Sequence, residues 1–168
     1  MAISLRSRAQ IELLREAGRL VAQTFELLRP HVQPGMTTRE LDRMAEKFIR
    51  DHGAIPVYKG YNGFPATICA SVNNVICHGF PSKTPLREGD IVGIDIGAKL
   101  NGWIGDSCVT YAVGALAPET QRLMDVTEES MWRGIRAATA GNRLGDVGAA
   151  IQQYVESNKF SVVREYTG

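Results

Sequence analysis

Asp95 and Asp106 are the residues of this sequence whose type and spacing most clearly suggest chemistry. They lie in 91–113, which predicts a two-stranded hairpin because β-branched and apolar residues flank an Asn-Gly turn signal at 101–102. With Asn-Gly as the loop, Asp106 pairs with Gly97, whereas with a loop one residue earlier it pairs with Asp95 itself. Because side chains alternate between the faces of a strand, either register places both carboxylates on one face, ~5–8 Å apart.

Two carboxylates on one face of an apolar hairpin require a compensating group. Like charges opposed on a sheet destabilise it, and Asp is uncommon in strands. A shared proton, a neighbouring Arg or Lys, or a divalent cation would each relieve the repulsion. Carboxylate oxygens suit hard and borderline metal ions, but two carboxylates alone do not fill a coordination shell. The competing interpretation is that one Asp lies at a solvated end of the hairpin.

His78 is the second candidate for chemistry. A further hairpin is predicted, with strands at 66–71 and 75–78 and a turn at 73–74, so that His78 ends a strand and turn residues follow it. Histidine donates or accepts protons near neutral pH, which suits a role in catalysis. The alternative is a structural histidine at a strand end.

Helices are predicted before and after these strands in the sequence. The segments 7–10 and 37–40 have the form of capping boxes, and each is followed by apolar residues at helical spacing. Pro30 ends the first of these helices, and Gly53 fits the C-terminal cap of the second. After the aspartate hairpin, the sequence predicts helices near 119–138 and 144–157 and a strand at Val162–Tyr166.

The later helices repeat the earlier ones at an offset of 106 residues. Gly35 maps onto Gly141, and the apolar positions of the second helix map without a gap onto those of the fourth. This pattern predicts a pseudo-symmetric protein of two helix–helix–sheet halves. The first half continues through the aspartate hairpin, whereas only the start of the second half's sheet precedes Gly168. We therefore expect an incomplete second half. The matched positions are Leu41 and Val147, Met44 and Ala150, Ala45 and Ile151, Phe48 and Tyr154, and Ile49 and Val155.

Length and composition favour one globular domain with an ordinary core. The chain has 168 residues, 44% of them hydrophobic and 22% charged, and a net charge of +1. This balance offers no basic surface for nucleic acid, and the sequence contains no apolar run of bilayer length and no signal peptide. Cys69, Cys77 and Cys108 are odd in number and lie in apolar runs, which indicates buried free thiols of a reducing compartment. We therefore expect a cytoplasmic protein.

Three segments of the chain carry a specific resemblance. They are GYNGFPATICASVNNVICHGFP, GDIVGIDIGAKLNGWIGDSCVTYAVG and FSVVREYTG, and together they resemble the bacterial type I methionine aminopeptidases. The similarity runs from AISLRS to the last residue, and the His-Gly-Phe-Pro form is similar to type I rather than type II enzymes. The resemblance implies the α/β pita-bread fold, which agrees with the internal repeat. It also implies removal of the initiator methionine from nascent proteins with two divalent metal ions, Co²⁺, Mn²⁺, Fe²⁺ or Zn²⁺.

The resemblance also implies roles for particular residues. The two Asp ligands of the family match Asp95 and Asp106, and its substrate-contacting His matches His78. The implied reaction is metal-assisted hydrolysis of the first peptide bond, with His78 assisting at the substrate amide. An apolar, aromatic and thiol-lined pocket would suit the thioether of methionine. The residues that match this pocket are Tyr58, Tyr61, Phe64 and Cys69.

The chain departs from the family pattern at its end. In the family, VVREYTG is followed by His-Gly-Ile-Gly, whose His is a metal ligand, and two Glu ligands come later. The resemblance therefore implies that 1–168 is the amino-terminal two-thirds of one metallopeptidase domain and holds two of five ligands. We expect this chain alone to bind divalent metal weakly and to be inactive.

The expected partners of the whole enzyme are the N-termini of nascent polypeptides, at the ribosome, and the full-length enzyme is expected to be a monomer. No direct nucleic-acid site and no membrane contact are expected. The alternative function is that of a non-catalytic pita-bread module that binds peptides or proteins. Opposed carboxylates on a core hairpin favour the enzyme, because a binding module has no need of them.

Overall fold

The computed structural model describes residues 3–164, which fall into two compact units, Met1–Leu116 and Ala117–Gly168. The first contains helices α1 (Arg8–Leu28) and α2 (Thr38–Asp51) and strands β1 (Ile55–Pro56), β2 (Ile68–Val72), β3 (Ile91–Leu100) and β4 (Trp103–Ala112), with 3₁₀ turns at Arg29–His31 and Tyr61–Gly63. The second contains helices α3 (Pro118–Ala137) and α4 (Leu144–Ser157).

Both predicted capping boxes begin helices. The Ser7 hydroxyl accepts a hydrogen bond from the backbone N–H of Gln10. The side-chain oxygen of Gln10 accepts one from the backbone N–H of Ser7 at 2.9 Å. Thr37 and Glu40 form the same reciprocal pair at the start of α2. These bonds satisfy amide groups that have no partner inside the helix, so local sequence alone fixes where the helices begin. The fully buried residues of these helices include Ala17, Val21, Thr24, Leu28, Leu41, Ala45 and Ile49.

The sheet of the first unit is antiparallel and built around β3. Strand β4 pairs along the whole of β3, while β1 and β2 pair with successive parts of it. Val92, Ile94, Ile96 and Ala98 alternate along β3 and are fully buried in the core shared with the helices. The intervening side chains therefore point to the opposite face, and Asp95 is one of them.

The hairpin adopts the register in which Asn101-Gly102 is the turn. Asn101 and Gly102 have φ of 50° and 86°, which is the left-handed backbone that a tight hairpin turn requires. Gly97 consequently pairs with Asp106. Gly105 allows the hairpin to lie against α1, because a Cβ there would be 2.5 Å from the carbonyl oxygen of Ala17.

The second predicted hairpin is wrong. Residues 75–78 form no strand, and β2 pairs with β3 instead. Asn73 has a φ of 53°, and the chain then continues as a loop that makes isolated backbone bonds to β2 rather than a strand ladder. The Val75 amide donates to the Val72 carbonyl oxygen at 3.2 Å, and the Ala70 amide donates to the Gly79 carbonyl oxygen at 2.8 Å. Ile76 is 66% exposed, so no apolar burial favours an extended strand here.

Two smaller expectations also need correction. Cys69 is buried as predicted, but Cys77 and Cys108 are exposed. Cys77 lies in the loop, and Cys108 lies on the same hairpin face as Asp95, away from the core. The predicted strand at Val162–Tyr166 is absent from its described part, 162–164, and its last two residues lie outside the described residues.

The second unit is a pair of packed helices. Gly134 of α3 allows close approach to α4, because a Cβ at this position would be 2.7 Å from Ile151 Cδ1. Val126 and Val155 are the large apolar residues that become buried in this unit, within its described part. No helix among residues 3–164 combines the length and apolar character needed to cross a membrane.

Candidate metal site

The two aspartates meet at a single hydroxyl group. Tyr58 Oη donates a hydrogen bond to Asp95 Oδ1 at 2.6 Å and lies 3.0 Å from Asp106 Oδ2. Asp95 is half-buried near the middle of β3, and Asp106 is exposed on β4 opposite Gly97. The predicted placement of both carboxylates on one face of adjacent antiparallel strands is therefore confirmed.

The environment of Asp95 disfavours its negative charge. Burial raises the pKa of Asp95 above its usual value, and the neighbouring charge of Asp106 raises it further. The hydrogen bond from Tyr58 and the positive charge of His78 act in the opposite direction on this pKa but do not cancel the increase. A cation bound between the carboxylates would reverse this balance, because it would favour the ionised form of both.

His78 is exposed and belongs to a loop rather than to a strand end, and its charge lowers the pKa of Asp95. Its φ of 55° is uncommon for a residue with a side chain. The next residue holds the loop against β2, since the Gly79 amide donates to Ser71 Oγ at 3.2 Å. A Cβ at Gly79 would be 2.3 Å from the carbonyl oxygen of Ala70, so glycine is required for this contact.

The predicted pocket residues are only partly brought together. Tyr58 and Phe64 make an edge-to-face contact with ring centroids 6.4 Å apart. Cys69 is buried on β2 and pairs with Asp95. Burial, followed by the charge of Asp95, raises the pKa of the Cys69 thiol to about 12, so this thiol remains protonated. Tyr61 is 70% exposed, and its place in a pocket stays a prediction.

Phe80 is an aromatic neighbour that the sequence reasoning missed. Its ring lies edge-to-face against Phe64 with centroids 5.2 Å apart, which extends the aromatic cluster to the loop that carries His78. Its position two residues after His78 could have suggested this contact. The second missed feature is the hydroxyl of Tyr58, since the sequence suggested only an apolar role for that ring.

Similarity to known proteins shows the family to which the chain belongs. The chain matches metallopeptidase family M24 over residues 12–168, which is nearly its whole length. This chain belongs to metallopeptidase family M24.

Curated relatives of this M24 chain are methionine aminopeptidases. Methionine aminopeptidase 1 of Bacillus subtilis is 53% identical over 159 residues, and methionine aminopeptidase of Clostridium perfringens is 50% identical over 166 residues. The alignments cover 95% and 99% of this chain but 64% and 67% of these relatives, so the chain spans about two thirds of their length. The resemblance to the methionine aminopeptidases is therefore confirmed.

Solved structures agree with the predicted fold of this M24 chain. The crystal structure of methionine aminopeptidase from Rickettsia prowazekii is 43% identical with a TM-score of 0.97, over 99% of this chain and 67% of that one. The enzyme from Thermotoga maritima is 36% identical with a TM-score of 0.95, over 98% and 67%. An Xaa-Pro dipeptidase from Bacillus anthracis, 24% identical with a TM-score of 0.80, shares the fold alone. The α/β pita-bread fold is thus confirmed, with a second half that is incomplete relative to these structures.

The residues at the M24 site fit a divalent metal ion. Both carboxylates converge on one point, the Tyr58 hydroxyl, and their oxygens are donors that such ions accept. Within residues 3–164, no third His, Cys, Asp or Glu side chain joins them to form a metal-binding group. Asp95 and Asp106 would thus supply part of a coordination shell.

Proposed function

We propose that this protein, in its full-length form, removes the N-terminal initiator methionine from nascent proteins by metal-dependent hydrolysis. The observation that carries this proposal is the convergence of Asp95 and Asp106 on one face of the hairpin, in a member of metallopeptidase family M24. The curated relatives with about half of their aligned residues identical are named methionine aminopeptidases, which supports the choice of substrate.

In this proposal, Asp95 and Asp106 hold metal, and two divalent ions are bound in the full-length enzyme, chosen among Co²⁺, Mn²⁺, Fe²⁺ and Zn²⁺. When bound, such ions polarise the scissile carbonyl and activate water for its hydrolysis. The sheet keeps both carboxylates on one face, so the ligands are arranged before metal arrives. The uncompensated charge next to half-buried Asp95 supports this role, because a cation would relieve it.

His78 donates a hydrogen bond to the substrate amide and takes part in proton transfer at that amide. Its left-handed backbone supports this role, since strained conformations of residues with side chains concentrate at functional sites. The methionine side chain of the substrate lies on an apolar surface formed by Phe64, Cys69, Tyr61 and the ring of Tyr58. Phe80 joins this group through its contact with Phe64.

The chain 1–168 is proposed to be part of a single metallopeptidase domain. The enzyme acts in the cytoplasm on the N-termini of nascent polypeptides, at the ribosome, and it is a monomer. A net charge of +1 supports the absence of a nucleic-acid site of its own.

The test is release of methionine from a Met-Ala-Ser peptide by the full-length protein, first stripped of metal and then titrated with Co²⁺ or Mn²⁺. We expect activity that requires added metal and that Asp95→Asn or Asp106→Asn abolishes. Asp125→Asn is the matched control, because Asp125 lies on α3 and accepts a hydrogen bond from Gln121, one helical turn away. Metal-free turnover, or full activity of Asp95→Asn, would reject the proposal and favour a non-catalytic peptide-binding module.

A further inference from the structure

The Tyr58 hydroxyl occupies an unusual position for a residue expected to line an apolar pocket. It is within hydrogen-bond distance of a carboxylate oxygen on each of two strands, Asp95 on β3 and Asp106 on β4. We propose that Tyr58 is a positioning residue of the metal site, whose hydroxyl fixes the orientation of both carboxylates toward one metal position. This inference rests on the proposed function, because it requires that the two carboxylates bind metal.

The backbone around Tyr58 is held against the same hairpin. The Val57 amide donates to the carbonyl oxygen of Gly97 at 3.1 Å, which continues the pairing of β1 with β3. The Tyr61 amide donates to the Tyr58 carbonyl oxygen at 2.9 Å, so the chain turns directly after the tyrosine. The position of the ring therefore follows from a fixed backbone and not from a mobile loop.

Gly97 provides the space in which the Tyr58 ring lies. A Cβ at Gly97 would be 2.8 Å from Tyr58 Cε1 and 2.4 Å from Val57 Cγ2. Gly97 lies two residues after Asp95 on the same face of β3, and it pairs with Asp106. The ring thus lies on the strand surface between the two aspartates, and its hydroxyl reaches both of them.

An ion pair ties the residue after Tyr58 to a helix. Lys59 Nζ lies 2.7 Å from Glu46 Oε2 on α2, and Glu46 is only 22% exposed. Arg50 of the same helix contacts Glu46 as well, at 3.0 Å. The hydrogen bond with Lys59 lowers the pKa of Glu46, so this carboxylate stays ionised near neutral pH. The tyrosine is therefore anchored on one side by the sheet and on the other by α2.

The hydroxyl and the ring of Tyr58 have separable functions. The ring contacts Phe64, and a phenylalanine at position 58 would keep that apolar surface. The hydroxyl contacts only the carboxylates among the residues that the structure describes. Groups that hydrogen-bond to metal ligands orient them before metal binds, and their loss typically weakens metal affinity ~10–100-fold. Tyr58→Phe should therefore weaken metal binding while leaving the pocket surface in place.

The experiment compares Mn²⁺ dissociation constants of the full-length protein and its variants by titration calorimetry at constant pH. We expect Tyr58→Phe to bind Mn²⁺ ~10–100-fold more weakly than the wild type and to change the visible absorption spectrum of the Co²⁺ form. Tyr111→Phe is the matched control, because Tyr111 lies on the same hairpin and donates a buried bond to the Phe25 carbonyl oxygen at 3.1 Å. It should lower the melting temperature without changing Mn²⁺ affinity.

Gly97→Ala is a second variant that tests the geometry independently. It keeps the phenol and both carboxylates but displaces the ring, so it should reproduce the affinity loss of Tyr58→Phe. Unchanged or tighter Mn²⁺ binding by Tyr58→Phe, in a protein whose wild type binds Mn²⁺, would overturn this inference and leave the proposed function standing. A wild type that binds no divalent metal would overturn both.

Discussion

Helices α2 and α4 have the same length and each follows a glycine with a left-handed backbone. They differ in how much of their apolar faces they bury. Each has 14 residues, and Gly35 and Gly141 precede them with φ of 91° and 97°. Leu41, Ala45 and Ile49 of α2 are fully buried. Of the matching residues of α4, Val147 and Ile151 are half-buried and only Val155 is buried.

The first residues of the two helices show the contrast most sharply. Thr38 is 2% exposed, whereas Leu144, its counterpart at the same offset, is 82% exposed. In the first unit, α2 packs on a core that includes β3, while the described part of the second unit, 117–164, contains helices only. The comparison teaches that capping and turn residues determine where a helix lies in the sequence. How far its apolar face is buried depends on the other elements that pack against it.

The largest expected effect tests whether the chemistry belongs to the first, sheet-containing unit. His78→Ala in the full-length protein should lower kcat for methionine release ~10²–10⁴-fold, since the proton transfer assigned to His78 would be lost. His52→Ala is the control within the same unit, because the His52 ring hydrogen-bonds to the Phe48 carbonyl oxygen of the preceding helical turn and, among residues 3–164, to no other group. A fully active His78→Ala enzyme would refute the catalytic role.

Core substitutions should distinguish the two helices next. Ile49→Ala on α2 removes a fully buried side chain and should lower the free energy of unfolding by ~2–5 kcal/mol. The same substitution at half-buried Ile151 on α4 should cost roughly half as much or less, since part of its surface already contacts water. Urea unfolding followed by circular dichroism provides the measurement. Equal losses at both positions would contradict the difference in burial.

The smallest effect concerns the residue that ends each helix. Gly53 after α2 and Lys159 after α4 both adopt a left-handed backbone, with φ of 72° and 66°. Because a Cβ is disfavoured in this conformation, Lys159→Gly should raise the free energy of unfolding by ~1 kcal/mol. Gly53→Lys should lower it by a similar amount. Thermal melts of both variants would measure these changes in stability. A destabilised Lys159→Gly would show that the left-handed backbone at position 159 does not disfavour lysine.

Several features of this protein follow from its sequence alone. The two capping boxes place the starts of α1 and α2, because the hydrogen bonds involved join residues three apart. The Asn-Gly turn and the alternation of strand side chains place Asp95 and Asp106 on one face, whichever register forms. The repeat predicted a fold of two related halves. The capping boxes and the turn depend on interactions that are local in the chain, whereas the repeat compares segments 106 residues apart.

Other features were decided only by the tertiary structure. The segment 75–78 has strand-like residues but no apolar burial, so it remains a loop. Cys108 is exposed because the hairpin has one core face and this residue points away from it. The Tyr58 hydroxyl reaches two aspartates that are 37 and 48 residues away in sequence, through space that Gly97 leaves open. No local pattern encodes such a contact, because it depends on how β1, β3 and β4 are brought side by side in one sheet.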